Sequence, residues 1–259
     1  MSREVLEQAR DALVEAGITG PHKSHSRRNA IGKIHQITCG DTDDTFGLSG
    51  LPDHSAEEIL SFVSKLTGCR PGIADETGYD DIDPELTVDG IVAAARALKG
   101  FADRKASLLI ATGHPTGMLE HNIRVADAYK RAGGTILKLR EGEQIVPGRG
   151  RNFEVRYTGG VGCLADWGAL MHTHSAAAME ALLDVEPWPD VVFGDHGWAG
   201  AAIERGIPTV AVIDINDPAL AVAWAEGKDM WAVPLDDNRP PGLYEPSWRL
   251  FEEILAGEM

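Results

Sequence analysis

The 259-residue chain has no apolar run that approaches the ~20 residues needed to span a bilayer, so a helical membrane anchor is not expected. Nor does it begin like a secretory leader. Residues 1–16 alternate charge and aliphatics as a surface helix does, and a cytoplasmic location is the expectation. Cysteine is scarce. Cys39, Cys69 and Cys163 are odd in number and no two have CxxC spacing, which argues against a disulfide framework and for reduced, mostly buried thiols. Cations are scarce too. With 24 Lys and Arg against 40 Asp and Glu, the chain carries a net charge of −16. Nucleic acid or an anionic membrane would be repelled over most of such a surface. An anionic small molecule is not excluded, because it needs only a local positive pocket. A homodimer is compatible with this composition.

Hydrophobic periodicity supplies the architecture. Val5, Leu6, Ala9, Ala12 and Leu13 mark a first helix over 3–16, and Ser55 with Glu58 forms a capping box for a helix running to Thr67. Ile34–Thr38 reads as a short strand. Residues 70–86 read as an acidic loop, and Thr87 or Asp89 opens another helix. From about Lys105 strands and helices alternate. Strands are expected at 107–112, 135–139, 191–194, 208–213 and 230–234, an edge hairpin within 141–160, and helices at 118–132, 176–184, 199–205, 218–226 and 246–256. Strands separated by helices of this length call for a parallel sheet with right-handed crossovers. The expected fold is α/β: a helical, loop-rich N-terminal lobe over 1–104, and over 105–259 a doubly wound, mainly parallel Rossmann-like sheet.

Three strand ends carry chemistry. Leu108–Ala111 breaks into Thr112-Gly113-His114, Val191–Phe193 into Gly194-Asp195-His196-Gly197, and Thr209–Ile213 into Asp214-Ile215-Asn216-Asp217. Carboxyl ends of parallel strands are where ligands bind, so adjacent junctions would share one crevice. Mg²⁺ prefers one or two carboxylates plus waters and substrate oxygens, and Asp195, Asp214 and Asn216 are its expected ligands. The His and Cys residues lack the usual spacing of zinc ligands. His114 and His196 are the candidate general acid or base with Asp195, since imidazole titrates near neutral pH. Thr112 and Gly113 offer an anion cradle at a helix N-terminus. In His172-Thr173-His174-Ser175, residues i and i+2 of an extended chain face opposite ways, so one histidine, His174, joins the expected site beside the cap residue Ser175. The densest basic run, His22-Lys23-Ser24-His25-Ser26-Arg27-Arg28-Asn29, is the expected clamp, with Arg27, Arg28 and Asn29 on the phosphate. Arg149, Arg151 and Arg156 are the alternative cations.

The string Ala111–Gly117, preceded by Asp83–Asp89 and followed by Gly194–Gly197, resembles a family of actinobacterial proteins known simply as phosphatases. The resemblance covers most of the chain and implies hydrolysis of a phosphate ester of unstated substrate. The expected function is thus Mg²⁺-dependent hydrolysis of a small phosphorylated metabolite. Two alternatives stand beside it. Asp41-Thr42-Asp43-Asp44-Thr45 matches the DxDx[TV] nucleophile motif of haloacid-dehalogenase-type phosphatases, with Thr112 as its middle residue and Val191–Asp195 as its last acidic motif. Against that route, Ile37–Gly40 makes a poor buried strand and the Lys before the last motif is missing. The same glycine turns, with Ser175 at a helix start, also fit a sugar-phosphate isomerase or a phosphosugar-binding protein.

Overall fold

The computed structural model describes residues 3–40, 44–148 and 150–257, and among these described residues there are ten short strands and nine α-helices. In chain order the strands after the first hundred residues are β3 (Ser107–Ala111), β4 (Thr135–Ile136), β5 (Glu154–Thr158), β6 (Val161–Asp166), β7 (Ala169–Leu170), β8 (Val191–Gly194), β9 (Thr209–Ile213) and β10 (Met230–Pro234). They form one sheet in the order β10-β9-β8-β3-β6-β5, with β4 beside β3 and β7 beside β6. Pairing is parallel from β10 through to β6 and at β4, and antiparallel at β5 and β7, so the edge is a hairpin, but over 154–166, its second strand beyond the expected 141–160. The chain lays strands on one side of β3 up to β7 and then on the other side from β8 onward. The order therefore changes direction between β3 and β8, which is where an open α/β sheet has its crevice.

Side chains alternate across the sheet. Leu108, Ile110, Phe193, Val210 and Val212 face α1 (Arg3–Ala16), α4 (Pro84–Asp103), α5 (Leu119–Arg131) and α9 (Glu245–Ala256). On the opposite face, Leu109, Ala111, Val192, Ala211 and Ile213 meet α2 (Arg27–Thr38), α3 (Ala56–Thr67), α6 (Ala177–Leu183), α7 (His196–Glu204) and α8 (Pro218–Ala225). Burial on both faces explains the unbroken apolar strands. Both principal cores cross residue 104: Leu13 and Leu98 share one with β-strand residues, and Ile59 and Val63 share the other. The N-terminal helices thus cover the sheet instead of forming a lobe with its own core.

Three local expectations are corrected. Ile34–Thr38 is helical, because Ser26 caps α2 by accepting from the Asn29 N–H and Ala30, Ile31, Ile34 and Ile37 recur at helical spacing on a buried side. Helix α4 begins at Pro84, with Asp83 accepting from the Glu85 N–H, before the expected Thr87. Helix α7 begins at His196 rather than 199. The short pair β1 (Gly20–Pro21) and β2 (Asp81–Ile82) ties the chain before His22 to the loop before α4. Among the described residues no helix is long and apolar enough to cross a membrane.

Between α5 and α9 lies a buried histidine far in sequence from the strand ends. His121 Nε2 is 2.9 Å from Ser247 Oγ, and Nδ1 is 2.9 Å from Asn122 Oδ1. Burial pulls its pKa down to about 4. The folded protein therefore keeps the neutral ring while the unfolded chain takes up a proton near 6.5, and stability must fall as pH drops from about 6.5 towards 4. For this group the loss approaches about 3 kcal/mol. His121→Gln, which puts a polar but non-titrating amide in place of the imidazole, should flatten the decline of melting temperature between pH 7 and 4.5. Parallel wild-type and variant curves would show that His121 does not set it.

Candidate functional site

Parallel pairing puts four strand ends at one edge of the sheet. Thr112, Gly113 and His114 follow β3, Asp195 and His196 follow β8, Asp214 and Asp217 follow β9, and Asp236 and Asp237 follow β10. Two loops complete the edge. The segment after β1 brings His22 and His25, and the chain after β7 brings His172 and His174. Six of the nine histidines in the sequence thus gather at this edge, four of them (His22, His25, His114 and His196) against its aspartates.

Their donor atoms form four overlapping groups, each with all its atoms within 4.8 Å of one another: His114, His172, His174 and His196; His22, Asp214 and Asp236; His25, Asp214 and Asp237; and His196, Asp217 and Asp237. Asp214 and Asp237 each serve two groups. His22 Nε2 lies 2.7 Å from Asp214 Oδ1, and the His22 Nδ1 accepts backbone N–H groups of Ser24 and His25, so Nε2 is the nitrogen that faces the carboxylates. His114 Nδ1 is 3.1 Å from Asp237 Oδ2, and His196 Nε2 is 3.4 Å from both Asp217 Oδ1 and Asp237 Oδ2. Four buried atoms here, His196 Nδ1, Asp214 Oδ2, Asp217 Oδ1 and Asp237 Oδ1, have no hydrogen-bond partner. Buried polar atoms are nearly always paired, so four orphans in one cluster require an explanation.

The electrostatics agree. Burial opposes a charged His196, yet Asp217, Asp237 and Asp195 hold it up to about 10. His114 is likewise raised, against its burial, by Asp237. Burial works against the Asp237 carboxylate as well, but His114 and His196 hold it well below the usual range. Partial burial and the neighbouring imidazoles His114, His174 and His196 pull His172 down to about 4, so it is neutral at pH 7.

Close packing delivers the second loop. A Cβ on Gly113 would overlap the Thr173 carbonyl, and one on Gly197 would overlap the backbone of His174–Ala176. Thr173 N–H donates to the Gly113 carbonyl at 3.0 Å. The segment is irregular rather than extended, which is why His172 and His174 enter one group despite their i, i+2 spacing. His196 adopts φ 41°, a left-handed conformation costing about 1–3 kcal/mol for a residue with a Cβ. Its ring sits 4.4 Å from those of both His114 and His174.

Several expected roles change. The Asp195 carboxylate accepts from the Thr112 hydroxyl at 2.5 Å and the Gly113 N–H at 2.6 Å, and it joins none of the donor groups. Thr112, Gly113 and Asp195 therefore tie the β3 turn to β8 through hydrogen bonds among themselves. Of the expected metal set only Asp214 is in the cluster; Asn216 is buried but belongs to no donor group. Arg27 is no clamp. It is 1% exposed and spends its guanidinium on Asp80 at 2.6 Å and on the carbonyls of Arg70, Gly72 and Asp75. Arg28 stands exposed against Glu76, and Asn29 is exposed on α2. Arg27→Ala should lower the unfolding free energy by about 3 kcal/mol in a denaturant titration, the low end for a broken buried pair because Arg70 still reaches Asp80 at 2.9 Å. A loss below about 1 kcal/mol would show that the pair is dispensable. Of the alternative cations, Arg151 stacks on Trp167 and pairs with Asp166, and Arg156 pairs with Glu154. Arg149, Asp41, Thr42 and Asp43 lie outside the described residues. Residues 34–38, expected as a short strand, belong to helix α2.

His22, His25, His172, Asp217, Asp236 and Asp237 were not in the expected site. Asp236-Asp237 carries the same signal as the other strand ends, an apolar strand broken by acids. The histidines after β1 carry no local signal.

A family model described as Phosphatase matches residues 3–254 of the chain. The protein named Phosphatase SCO2771 of Streptomyces coelicolor is 36% identical over 228 residues, which cover 85% of each chain.

Proposed function

Because the chain belongs to this phosphatase family, we propose that the His/Asp cluster is its catalytic centre and that it works as a metal-dependent hydrolase of small phosphate monoesters. The observation that carries the reading is the set of orphaned buried donors shared among overlapping groups. Raised imidazole pKa values report the same negative field that would attract a cation. A cation there would lower the pKa of a bound water and neutralise phosphoryl oxygens.

The donor set revises the expected metal. Mg²⁺ takes oxygen ligands and keeps its waters, whereas mixed imidazole and carboxylate donors suit zinc, iron, nickel or manganese. His22, His25, Asp214, Asp236 and Asp237 would hold one ion, and His196 and Asp217 with the imidazoles of His114 and His174 a second. Asp237, which links the group of His25 and Asp214 to that of His196 and Asp217, would suit a clamp of two ions on one phosphoryl group. Within this scheme His114 and His196 are ligands more than free acid–base groups, since Asp237 already faces both. His172, neutral and at the exposed edge, is the imidazole placed to take or give a proton at the substrate. Asp195 positions the site by fixing Thr112 and Gly113, which support His114 and the His172–Ser175 loop. A phosphosugar-binding module would need no such array of donors. Metal-free and metal-restored protein assayed on a generic phosphate ester tests the reading.

A further inference from the structure

Next to the cluster lies a cavity of about 460 Å³, the size of a small-ligand site. It is lined by His172, Thr173, His174 and Ser175 together with Lys33, Gln36 and Asp44. Two of its histidines belong to the four-imidazole group, so the cavity runs up to the metal-type donors. Lys33 is the one Lys or Arg among the described lining residues, in a protein that otherwise repels anions. It is held firmly. The isoleucines of α2 are buried, and Asn29, Lys33 and Gln36 fall at i, i+4 and i+7 on one face of that helix. Lys33 Nζ contacts Asp44 Oδ1, and the same carboxylate oxygen lies 3.6 Å from His174 Nδ1. Asp44 thereby joins the cavity's cation to an imidazole of the cluster. None of the described lining side chains is aliphatic or an aromatic hydrocarbon, so the cavity has nothing to hold an acyl or aryl group.

We propose that Lys33 grips a phosphoryl oxygen of the substrate, that Asp44 holds the ammonium in place and orients His174, and that the substrate's organic part is a small polyhydroxylated group lying against Gln36, Thr173 and Ser175. The proposal deepens the phosphatase reading and rests on it. It assigns the phosphate grip that the basic run after β1 was expected to provide to a residue one and a half turns further along α2.

The test uses the full-length protein with its metal bound. Inorganic phosphate is titrated calorimetrically into wild type, Lys33→Gln and Lys33→Arg, and metal content is measured on the same samples. Losing one charge-assisted bond should weaken phosphate binding about ten- to a hundredfold in Lys33→Gln, with metal content unchanged. Lys33→Arg should recover part of the affinity, since it keeps the charge but changes the geometry. In turnover the loss should fall on KM more than kcat, and the wild type should prefer a polyol phosphate to p-nitrophenyl phosphate in kcat/KM. Unchanged phosphate affinity in Lys33→Gln, or a loss that follows loss of metal, would overturn the grip. Equal or greater preference for the aryl ester would overturn the assignment of a polar organic part. Phosphate bound through Lys33 by a metal-loaded protein that cleaves no ester would instead sink the phosphatase reading and leave the grip standing.

Discussion

Dialysis against a strong chelator is expected to lower phosphate-ester hydrolysis on the order of 10³-fold, because the cations would supply several kcal/mol of transition-state stabilisation and each 1.36 kcal/mol is tenfold. Far-UV circular dichroism before and after separates loss of metal from loss of fold. Stability is expected to drop as well, since Asp214, Asp217, Asp236 and Asp237 are buried together and would face one another without a cation between them. Zn²⁺, Mn²⁺ or Fe²⁺ should restore more activity than Mg²⁺, given the imidazoles among the donors. Activity undiminished in protein stripped below stoichiometric metal would remove the cations from the scheme.

Asp237→Asn is the substitution with the largest expected effect. Asp237 faces His114 at 3.1 Å and His196 at 3.4 Å, is 1% exposed, and belongs to two donor groups. The amide keeps the shape and one acceptor oxygen but loses the charge that both imidazoles and any shared cation need. Replacing a group that merely orients a ligand costs about 10–100-fold in affinity or activity, so a shared ligand should cost at least about 100-fold in kcat. Metal per chain should fall in parallel. By contrast Asp195→Asn should retain metal while losing activity, because Asp195 bonds Thr112 and Gly113 and joins no donor group. Full metal retention in Asp237→Asn with normal kcat would contradict the site.

Three of the four strand ends were legible in the sequence because an apolar run stops at a short polar turn, which is a local event. Asp236-Asp237 ends β10 by the same rule, but the Asn, Arg, Pro and Gly that follow read as an ordinary loop. His22 was beyond such reading: its partner Asp214 is 192 residues away, and the two meet through the β1–β2 pair and the Asp236 N–H donated to the Ile18 carbonyl. His172 and His174 were misjudged because alternation holds for a strand, whereas this segment is an irregular loop seated on Gly113 and Gly197. Arg27 shows the limit of reading charge as exposure. In an acidic chain a basic run suggests a clamp, yet the core needed a counter-ion for Asp80, 53 residues on. The helix at 27–38 was hidden because Gly32, Lys33, His35 and Gln36 interrupt its isoleucines, although their spacing is helical.

The central claim is that the His/Asp cluster holds the cations that do the chemistry. Metal per chain and specific activity measured on the same samples, as metal is added back to the stripped protein, test it most directly. The account predicts activity that rises with bound transition metal and saturates at about two ions per chain in the wild type, the number a two-ion clamp requires. Full activity in protein carrying far less than one ion per chain would contradict it.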